Sequence, residues 1–332
     1  MKLLVALPAL NEAATIGEVI AAIPAIVPAF DTVDVVVVDD GSTDETGTKA
    51  AAAGATVVRH PQNRGVGAAF QTMVQFALMK GADVMVTIDA DGQFDPNHIP
   101  TLVAPIIDGH AWMVTASRFS DPALIPQMPW IKKWGNRRVA NLVNMLTGRR
   151  YADVSCGYRA YTRDALLRLT VYHAFTYTHE TLIDLASKQV AIAEVPLEIR
   201  GVRAVGESRV ASSVWRYGVR TAGIMLRTYR DQRPLQLCGW LALLFALGGT
   251  GFLIASLRQF YLTGVWLKWA AFTGAAAGAL AVTLLFFGFM LDIVTRLRRN
   301  QEETLFWVRR AAYLQTLQMS QAASLPPKAD TR

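Results

Sequence analysis

Cysteine is nearly absent from this chain: Cys156 and Cys238 are the only two in 332 residues. Two thiols cannot build a disulfide framework, which points to a reducing setting for the bulk of the chain. Charge is also scarce, at 18% of residues against 52% hydrophobic. That balance excludes a disordered chain and is apolar for a plain soluble enzyme. The length allows one large domain with an appendage, or two ordinary domains. The first strand-to-helix turn, Pro8-Ala9-Leu10-Asn11-Glu12, contains no glycine. This removes the dinucleotide fingerprint, and Gly65-Val66-Gly67 lacks the rest of it. The five histidines show no metal-ligand spacing. No signal peptide is visible, because the apolar run Leu3–Leu10 stops at Asn11-Glu12 without a small-residue cleavage site.

What is present is unevenly placed. Residues 1–210 hold 19 basic and 21 acidic residues, a net of −2, whereas residues 211–332 hold 14 and 5, a net of +9. The positive excess sits beside the longest apolar runs, a pattern that suits anionic lipid headgroups rather than nucleic acid. Leu235–Leu257 and Trp269–Leu291 are each 23 residues without a charge. About 20 apolar residues span a bilayer core, so both read as transmembrane helices of a hairpin. Five arginines precede the hairpin (Arg216, Arg220, Arg227, Arg230, Arg233) and five follow it (Arg296, Arg298, Arg299, Arg309, Arg310), against Arg258 and Lys268 in the loop. This asymmetry places both flanks, and with them the large N-terminal part, in the cytoplasm. On a helix, Arg216, Arg220, Arg227 and Arg230 share one face, which reads as a basic segment lying on the membrane surface. Gly274 and Gly278 form a small-xxx-small pair in the second span. Trp130, Trp134, Trp215 and Trp240 suit interface anchoring and ordinary packing equally. The expected partition is a cytoplasmic domain over 1–210, a basic amphipathic juxtamembrane helix over 211–234, a hairpin over 235–291 and a basic cytoplasmic tail over 292–332, with Glu302–Met319 helical.

The first 210 residues alternate strand and helix signals. Strands are expected at Lys2–Pro8, Val33–Val38, Thr56–Arg59 and Val84–Ile88, and helices at Glu12–Ala25, Thr43–Ala53, Gly65–Met79 and Leu182–Lys188. The alternation implies an α/β domain with a mostly parallel sheet and helices on both faces. Ligands then bind beyond the carboxyl ends of the strands.

Acidic motifs fall at those ends. The second strand runs into Asp39-Asp40-Gly41-Ser42-Thr43-Asp44, and the fourth into Asp89-Ala90-Asp91-Gly92-Gln93. Each alone makes a good turn. Gathered on one rim they repel each other unless a cation or hydrogen-bond donors offset them. An Asp-x-Asp pair with a nearby Gln suits Mg2+ or Mn2+, which take their remaining ligands from phosphates and water. A calcium EF-hand is excluded, since glycine stands fourth and not sixth in the loop.

These motifs, with Asn63-Arg64-Gly65-Val66-Gly67, Ser155-Cys156-Gly157-Tyr158-Arg159-Ala160-Tyr161, Glu194-Val195-Pro196 and Gly206-Glu207-Ser208-Arg209, resemble the family-two inverting glycosyltransferases. Within them the chain is most similar to the polyprenyl-phosphate (dolichol-phosphate type) enzymes, over roughly residues 1–230. The two-helix tail resembles a membrane-anchored branch of that group. The resemblance implies a nucleotide-sugar-binding, Rossmann-like glycosyltransferase A-type domain. It implies a nucleotide diphosphate sugar (UDP- or GDP-linked) as donor, Mg2+ or Mn2+ as cofactor and a polyprenyl phosphate as acceptor.

The same resemblance assigns roles. Pro8, Asn11, Glu12, Asp39, Asp40, Asp89, Ala90, Arg203 and Arg209 would bind the donor, with Asp39 on the base or ribose. Asp89, Asp91 and Gln93 would hold the metal, and Asp91 and Arg118 would be catalytic. Arg118, Lys132, Asn136 and Arg137 would grip the acceptor phosphate, although residues 132–138 also read as a solvated helix face. Leu10 stands where the family has Tyr, Asn136 where it has Ser, and Arg209 where Lys is common. His179-Glu180 would shape the site or simply pack, and Cys156 reads as a small buried residue. The expected activity is transfer of one sugar to polyprenyl phosphate at the cytoplasmic membrane face with inversion. A homo-oligomer is compatible with this pattern. The alternatives are the same donor chemistry on another membrane acceptor, such as a glycolipid, and a non-catalytic membrane scaffold. A processive polysaccharide synthase would carry a Gln-x-x-Arg-Trp motif and more spans.

Overall fold

The computed structural model describes residues 1–126, 128, 130–170, 177–200, 223, 229–230 and 233–323, with only the backbone of 131, 132 and 316–323. The chain divides into two compact units, one of residues 1–212 with 306–332 and one of residues 213–305.

The first unit is built on a seven-stranded sheet. Its strands are β1 (Lys2–Ala9), β2 (Thr32–Asp39), β3 (Thr56–Arg59), β4 (Val84–Thr87), β5 (Met113–Ser117), β6 (Arg159–Thr162) and β7 (Ile192–Pro196), in the order β3-β2-β1-β4-β6-β5-β7. All neighbours pair in parallel except β6, which runs antiparallel to both β4 and β5. The expected mostly parallel sheet is therefore present. The helices are α1 (Ile16–Ala21), α2 (Thr46–Ala52), α3 (Val66–Met79), α4 (Ile99–Ile107), α5 (Trp130–Thr147), α6 (Arg163–Arg168) and α7 (Thr178–Ser187).

Both faces of the sheet are covered, which explains why its central strands read as continuous apolar runs rather than alternating ones. Leu3, Val5 and Leu7 of β1 pack with Ile16, Val19 and Ile20 of α1 in one core cluster. The intervening Leu4 and Ala6, with Phe70 and Met73 of α3, are equally buried outside that cluster. Side chains of a strand alternate between faces, so the two sets lie on opposite sides of the sheet.

The second unit holds α8 (Pro234–Thr263), and α9 (Lys268–Ala323) begins in it. Both are long and apolar enough to cross a membrane, with mean hydropathies of 2.0 and 2.2 in their best windows. The helices approach closely at Gly249 and Gly274: a Cβ on Gly249 would lie 2.9 Å from the Gly274 carbonyl oxygen. Of the small-residue pair read from the sequence, Gly274 is at this contact, whereas a Cβ on Gly278 would meet nothing within 4 Å. The basic juxtamembrane segment falls almost wholly outside the described residues. Residues 302–319 are helical as expected, and they continue α9. No glycine or proline interrupts residues 289–323, and the pairs Arg296–Asp292 and Arg298–Glu302 bridge successive turns at 2.9 and 2.8 Å.

From Phe306 onward, α9 belongs to the first unit and docks on α6. Phe306 is 3% exposed, and the Arg168 guanidinium lies 4.1 Å from its ring centroid. Arg309 donates to the carbonyls of Leu167 and Leu169, which close the C-terminal end of α6, and Arg310 pairs with Asp164 at 3.5 Å. Asp83, which Arg163 bonds beneath Tyr313, precedes β4. This docking is therefore at the rim of the sheet opposite the acidic motifs.

Candidate active site

The carboxyl ends of β1, β2 and β4 are adjacent in the sheet, and each feeds a loop bearing one of the acidic motifs. These loops are stitched together by polar bonds. Asn11, at φ 53°, accepts from the Thr43 amide through Oδ1 at 2.8 Å, while its own amide donates to Ser42 Oγ at 2.9 Å. The Glu12 amide donates to Thr46 Oγ1 at 2.8 Å, and Thr15 Oγ1 donates to the Ala90 carbonyl at 2.7 Å. Asn11 thus frames the rim through its side chain and its amide, and Glu12 and Ala90 do so through their backbones. Pro8, half-buried, is the penultimate residue of β1.

The two aspartates after β2 have different surroundings. Asp40 holds the turn before α3: it accepts from the amides of Arg64 and Gly65 at 3.0 and 2.8 Å, and lies 2.6 Å from His60 Nδ1. His60 in turn contacts Thr72 Oγ1 at 2.9 Å. Asp39 accepts from the Ser42 amide through Oδ1 at 2.8 Å. Its Oδ2 is buried and makes no hydrogen bond among the described residues, although Arg59 Nε stands 3.5 Å away. A buried acceptor without a donor is costly, so this atom is suited to a ligand N–H or O–H. Gly41, at φ +78°, lets the turn pass beneath the 62–63 backbone, where a Cβ would come within 2.6 Å of the Gln62 carbonyl carbon.

After β4, Asp91 is 3% exposed and accepts from the Gln93 amide at 3.0 Å. The Asp89 carboxylate lies against Gly157, where a Cβ would meet its Oδ2 at 3.3 Å. Tyr177, stacked on Phe70 at 4.3 Å, donates to the Gly157 carbonyl and is held well above the ordinary tyrosine pKa by burial and then by the Asp89 charge. Asp89, Asp91 and the side-chain oxygen of Gln93 are hard oxygen donors, the set that suits Mg2+ or Mn2+. Among the described residues no group of three His, Cys, Asp or Glu converges. A shell with two carboxylates is the kind completed by phosphate oxygens and water.

Arg118 follows β5 on this same rim. Its Nε and Nη2 fork onto Asp153 at 2.6 and 3.0 Å, and Nη2 also donates to Ser155 Oγ at 2.8 Å. Asp153 is fully buried; burial is the largest influence and raises its pKa, but the Arg118 charge together with hydrogen bonds from Arg118 and from the Ser155 amide outweighs it and holds the carboxyl below its ordinary value. Burial alone would weaken the Arg118 cation, but Asp153 first and Asp89 further out hold it charged. Nη1 makes no hydrogen bond among the described residues. Glu194 of β7 accepts from the amides of Ala152 and Asp153 at 2.9 to 3.0 Å and fixes the loop from below.

Of the acceptor set read from the sequence, the structure brings Asn136 to Arg118 through Ser155 and turns Arg137 away. Asn136 Oδ1 accepts from Ser155 Oγ at 2.9 Å and its Nδ2 donates to the Ala152 carbonyl at 3.2 Å, so its amide belongs to the frame around Arg118. Arg137, the next residue on α5, is exposed on another face, because consecutive helical residues diverge by about 100°. The side chain of Lys132 is not described, and Arg203 and Arg209 lie outside the described residues. Sequence reasoning missed Asp153 and Glu194 as parts of this frame, and His60 as the partner of Asp40. Ser155 and Glu194 stood in motifs, but Asp153 had no local signal, since its partner is 35 residues away. His179 is a packed histidine, 3% exposed and with its pKa pushed down to about 4 by burial and then by Arg159. Cys156 is buried, and its pKa is raised by burial to about 12, as for an inert thiol.

Residues 4–170 match the model of the family described as glycosyl transferase family 2. The UDP-N-acetylglucosamine–dolichyl-phosphate N-acetylglucosaminyltransferase of Methanococcus voltae is 35% identical over 42% of this chain and 57% of its own length. The polyprenol monophosphomannose synthase of Mycolicibacterium smegmatis is 26% identical over 63% of this chain and 81% of that protein. Among solved structures, glucosyl-3-phosphoglycerate synthase of Mycobacterium tuberculosis, in complex with Mn2+, UDP-glucose and phosphoglyceric acid, superposes with a TM-score of 0.54 at 26% identity, covering 68% of this chain and 79% of that one. The seven-stranded, mostly parallel α/β unit is thus of the glycosyltransferase A type, and the chain belongs to glycosyl transferase family 2.

Proposed function

We propose that this glycosyltransferase moves one sugar, with inversion, from a UDP- or GDP-linked donor to a polyprenyl phosphate at the cytoplasmic face of the cell membrane. The observation that carries the reading is Asp39 with Asp89 and Asp91 at the carboxyl ends of β2 and β4, the parallel strands that flank β1, one Asp39 oxygen being buried without a hydrogen-bond donor among the described residues. In this reading Asp39 takes an N–H or O–H of the nucleoside, and Pro8, Asn11, Glu12 and Ala90 shape that pocket. Asp40 acts indirectly, by holding the turn before α3. Two relatives named for dolichyl-phosphate and polyprenol substrates support the acceptor class.

Asp89, Asp91 and Gln93 would hold Mg2+ or Mn2+, which offsets charge developing on the leaving diphosphate. The chain's own residues account for the rest. The acceptor phosphate needs no strong base, because the second ionisation of a phosphate monoester has a pKa of about 6. Positioning therefore dominates. Arg118, clamped on Asp153 with Nη1 left over, presents a fixed cation to a phosphate oxygen. Lys132, in the first turn of α5, is its proposed partner, and Arg203 and Arg209 are assigned to the donor diphosphate. The unit of 1–210 would carry this chemistry, with 211–234 on the membrane surface, a hairpin over 235–291 and a cytoplasmic tail over 292–332.

The test is nucleotide release by detergent-solubilised protein, with Mn2+ or Mg2+, UDP- and GDP-sugars, and undecaprenyl phosphate present or absent. Release that requires the lipid phosphate and disappears with EDTA is expected. Turnover only with a neutral glycolipid acceptor would overturn the acceptor assignment.

A further inference from the structure

Arg59 is the last residue of β3, in register with Asp39 at the end of β2. Its side chain is 62% exposed, yet its head is held in place: Nη2 donates to the Ser42 carbonyl at 2.8 Å. Nε stands 3.5 Å from Asp39 Oδ2, near enough to offset its charge but without a hydrogen bond to it. Nη1 has no hydrogen-bond partner among the described residues. An exposed ion pair adds little to stability, so this placement is not explained by the fold alone.

The two groups together form a reading edge. Asp39 Oδ1 is taken by the Ser42 amide at 2.8 Å, which leaves Oδ2 as the one oxygen still lacking a donor. Gly47 of α2 abuts Oδ2, where a Cβ would stand 3.0 Å away, and Arg59 borders it on the exposed side. A ligand that reaches this edge therefore meets one acceptor oxygen beside a guanidinium that can only donate. A base with one ring N–H next to a carbonyl matches it, the N–H on Oδ2 and the carbonyl on Arg59. Uracil has that imide, N3–H between two carbonyls. Guanine presents two adjacent N–H groups and needs both carboxylate oxygens, so its second donor would lie against an occupied oxygen or against Arg59. Cytosine and adenine turn a bare ring nitrogen toward the carboxylate. Each mismatch leaves a buried polar group without a partner, the strongest source of discrimination available to a binding site.

We infer that Arg59 is a base-reading residue of the donor site, and that with Asp39 it selects a uracil nucleotide. The base edge enters where the guanidinium now borders Oδ2, and Arg59 gives one N–H to a uracil carbonyl. This rests on the donor reading of Asp39 proposed above and narrows it to the uridine class; it is independent of the acceptor.

The test is calorimetric binding of UDP, GDP, CDP and N3-methyl-UDP to the full chain in detergent with Mg2+. UDP is expected to bind about tenfold or more tightly than GDP or CDP, and than N3-methyl-UDP, which has no imide N–H. Arg59→Gln should weaken UDP about tenfold while changing GDP little, so that the preference collapses. Arg59→Lys keeps the charge without the planar fork and should recover only part of it. Because the side chain is mostly exposed, both variants should keep an unfolding midpoint near that of the unsubstituted protein. Equal loss of all nucleotides in Arg59→Gln would mean that the side chain supports the turn at Ser42 without reading the base, and would overturn the inference. So would GDP binding as tightly as UDP, or N3-methyl-UDP binding as well as UDP. Selective UDP binding without lipid-dependent turnover would leave this inference standing while the acceptor reading fails, whereas absence of binding by any nucleotide would overturn both.

Discussion

Asp153 sets the position of Arg118, and its value lies in what it prevents. An arginine with five donors and long rotamer freedom reaches a phosphate productively only if it waits in one orientation. The bidentate fork onto a fully buried carboxylate provides that orientation, and Ser155 and Asn136 close the frame. Asp153→Asn leaves the guanidinium without its counter-charge, and breaking a buried pair from one side costs about 3 kcal/mol or more. Urea unfolding should show that loss. Arg118 should also stop contributing to the acceptor, so KM for the lipid phosphate should rise while nucleotide affinity stays near the unsubstituted value. Asp39→Asn tests the other half of the site. The amide can still accept from Ser42 but offers an N–H where the buried Oδ2 awaits a donor. A charged hydrogen bond contributes about 1.5–3 kcal/mol, so nucleotide binding by calorimetry should weaken about tenfold or more.

At the scale of elements, α7 carries a titration that reports on the fold. His179 in its first turn has its pKa lowered to about 4, so the folded state resists protonating it while the unfolded chain binds a proton near pH 6.5. Stability is then fully present above pH 6.5 and lost as pH falls from 6.5 toward 4, by about 3 kcal/mol in all. His179→Gln should flatten that part of a pH-dependent unfolding curve. The loss from Asp153, whose pKa is depressed from an ordinary 3.8, begins only lower. The docked end of α9 gives a second test: Phe306→Ala empties a site that is 3% exposed and removes the ring beside Arg168, at a cost of about 3 kcal/mol read from denaturant midpoints. The elements themselves were mostly legible. Residues 56–59 form the strand expected of them, and 66–79 a helix one residue shorter than read. Helical spacing over 12–25 overshot, because Asn11 is left-handed, residues 11–15 stitch loops together, and Pro24 disfavours helical backbone at Ile23. The acidic rim was legible because each motif ends a strand, and topology brings strand ends together. The Arg118–Asp153 frame was not, because it depends on an antiparallel β6 inserted between β4 and β5 that no local pattern announces.

The whole molecule is organised by the separation of its charge. Residues 1–210 are close to neutral, the 122 residues after them carry +9, and most of that excess is arginine on either side of two apolar helices. Translocating an arginine-rich flank is disfavoured, so the ten flanking arginines should stay on one side and the short turn after Thr263, with Arg258 and Lys268 near it, should cross. The proposed chemistry favours the same side: a nucleotide-linked donor and the site around Arg118 must both be available where the acceptor phosphate lies. The orientation predicts a labelling pattern that no other arrangement gives. In a Cys238→Ser background, Thr263→Cys should react with a membrane-impermeant maleimide added to intact cells, because position 263 ends α8 exposed. Ile26→Cys, at an 86% exposed position between α1 and β2, should react only after lysis. The opposite pattern would invert the hairpin. Labelling of both before lysis would mean that the two apolar helices lie on the membrane rather than through it.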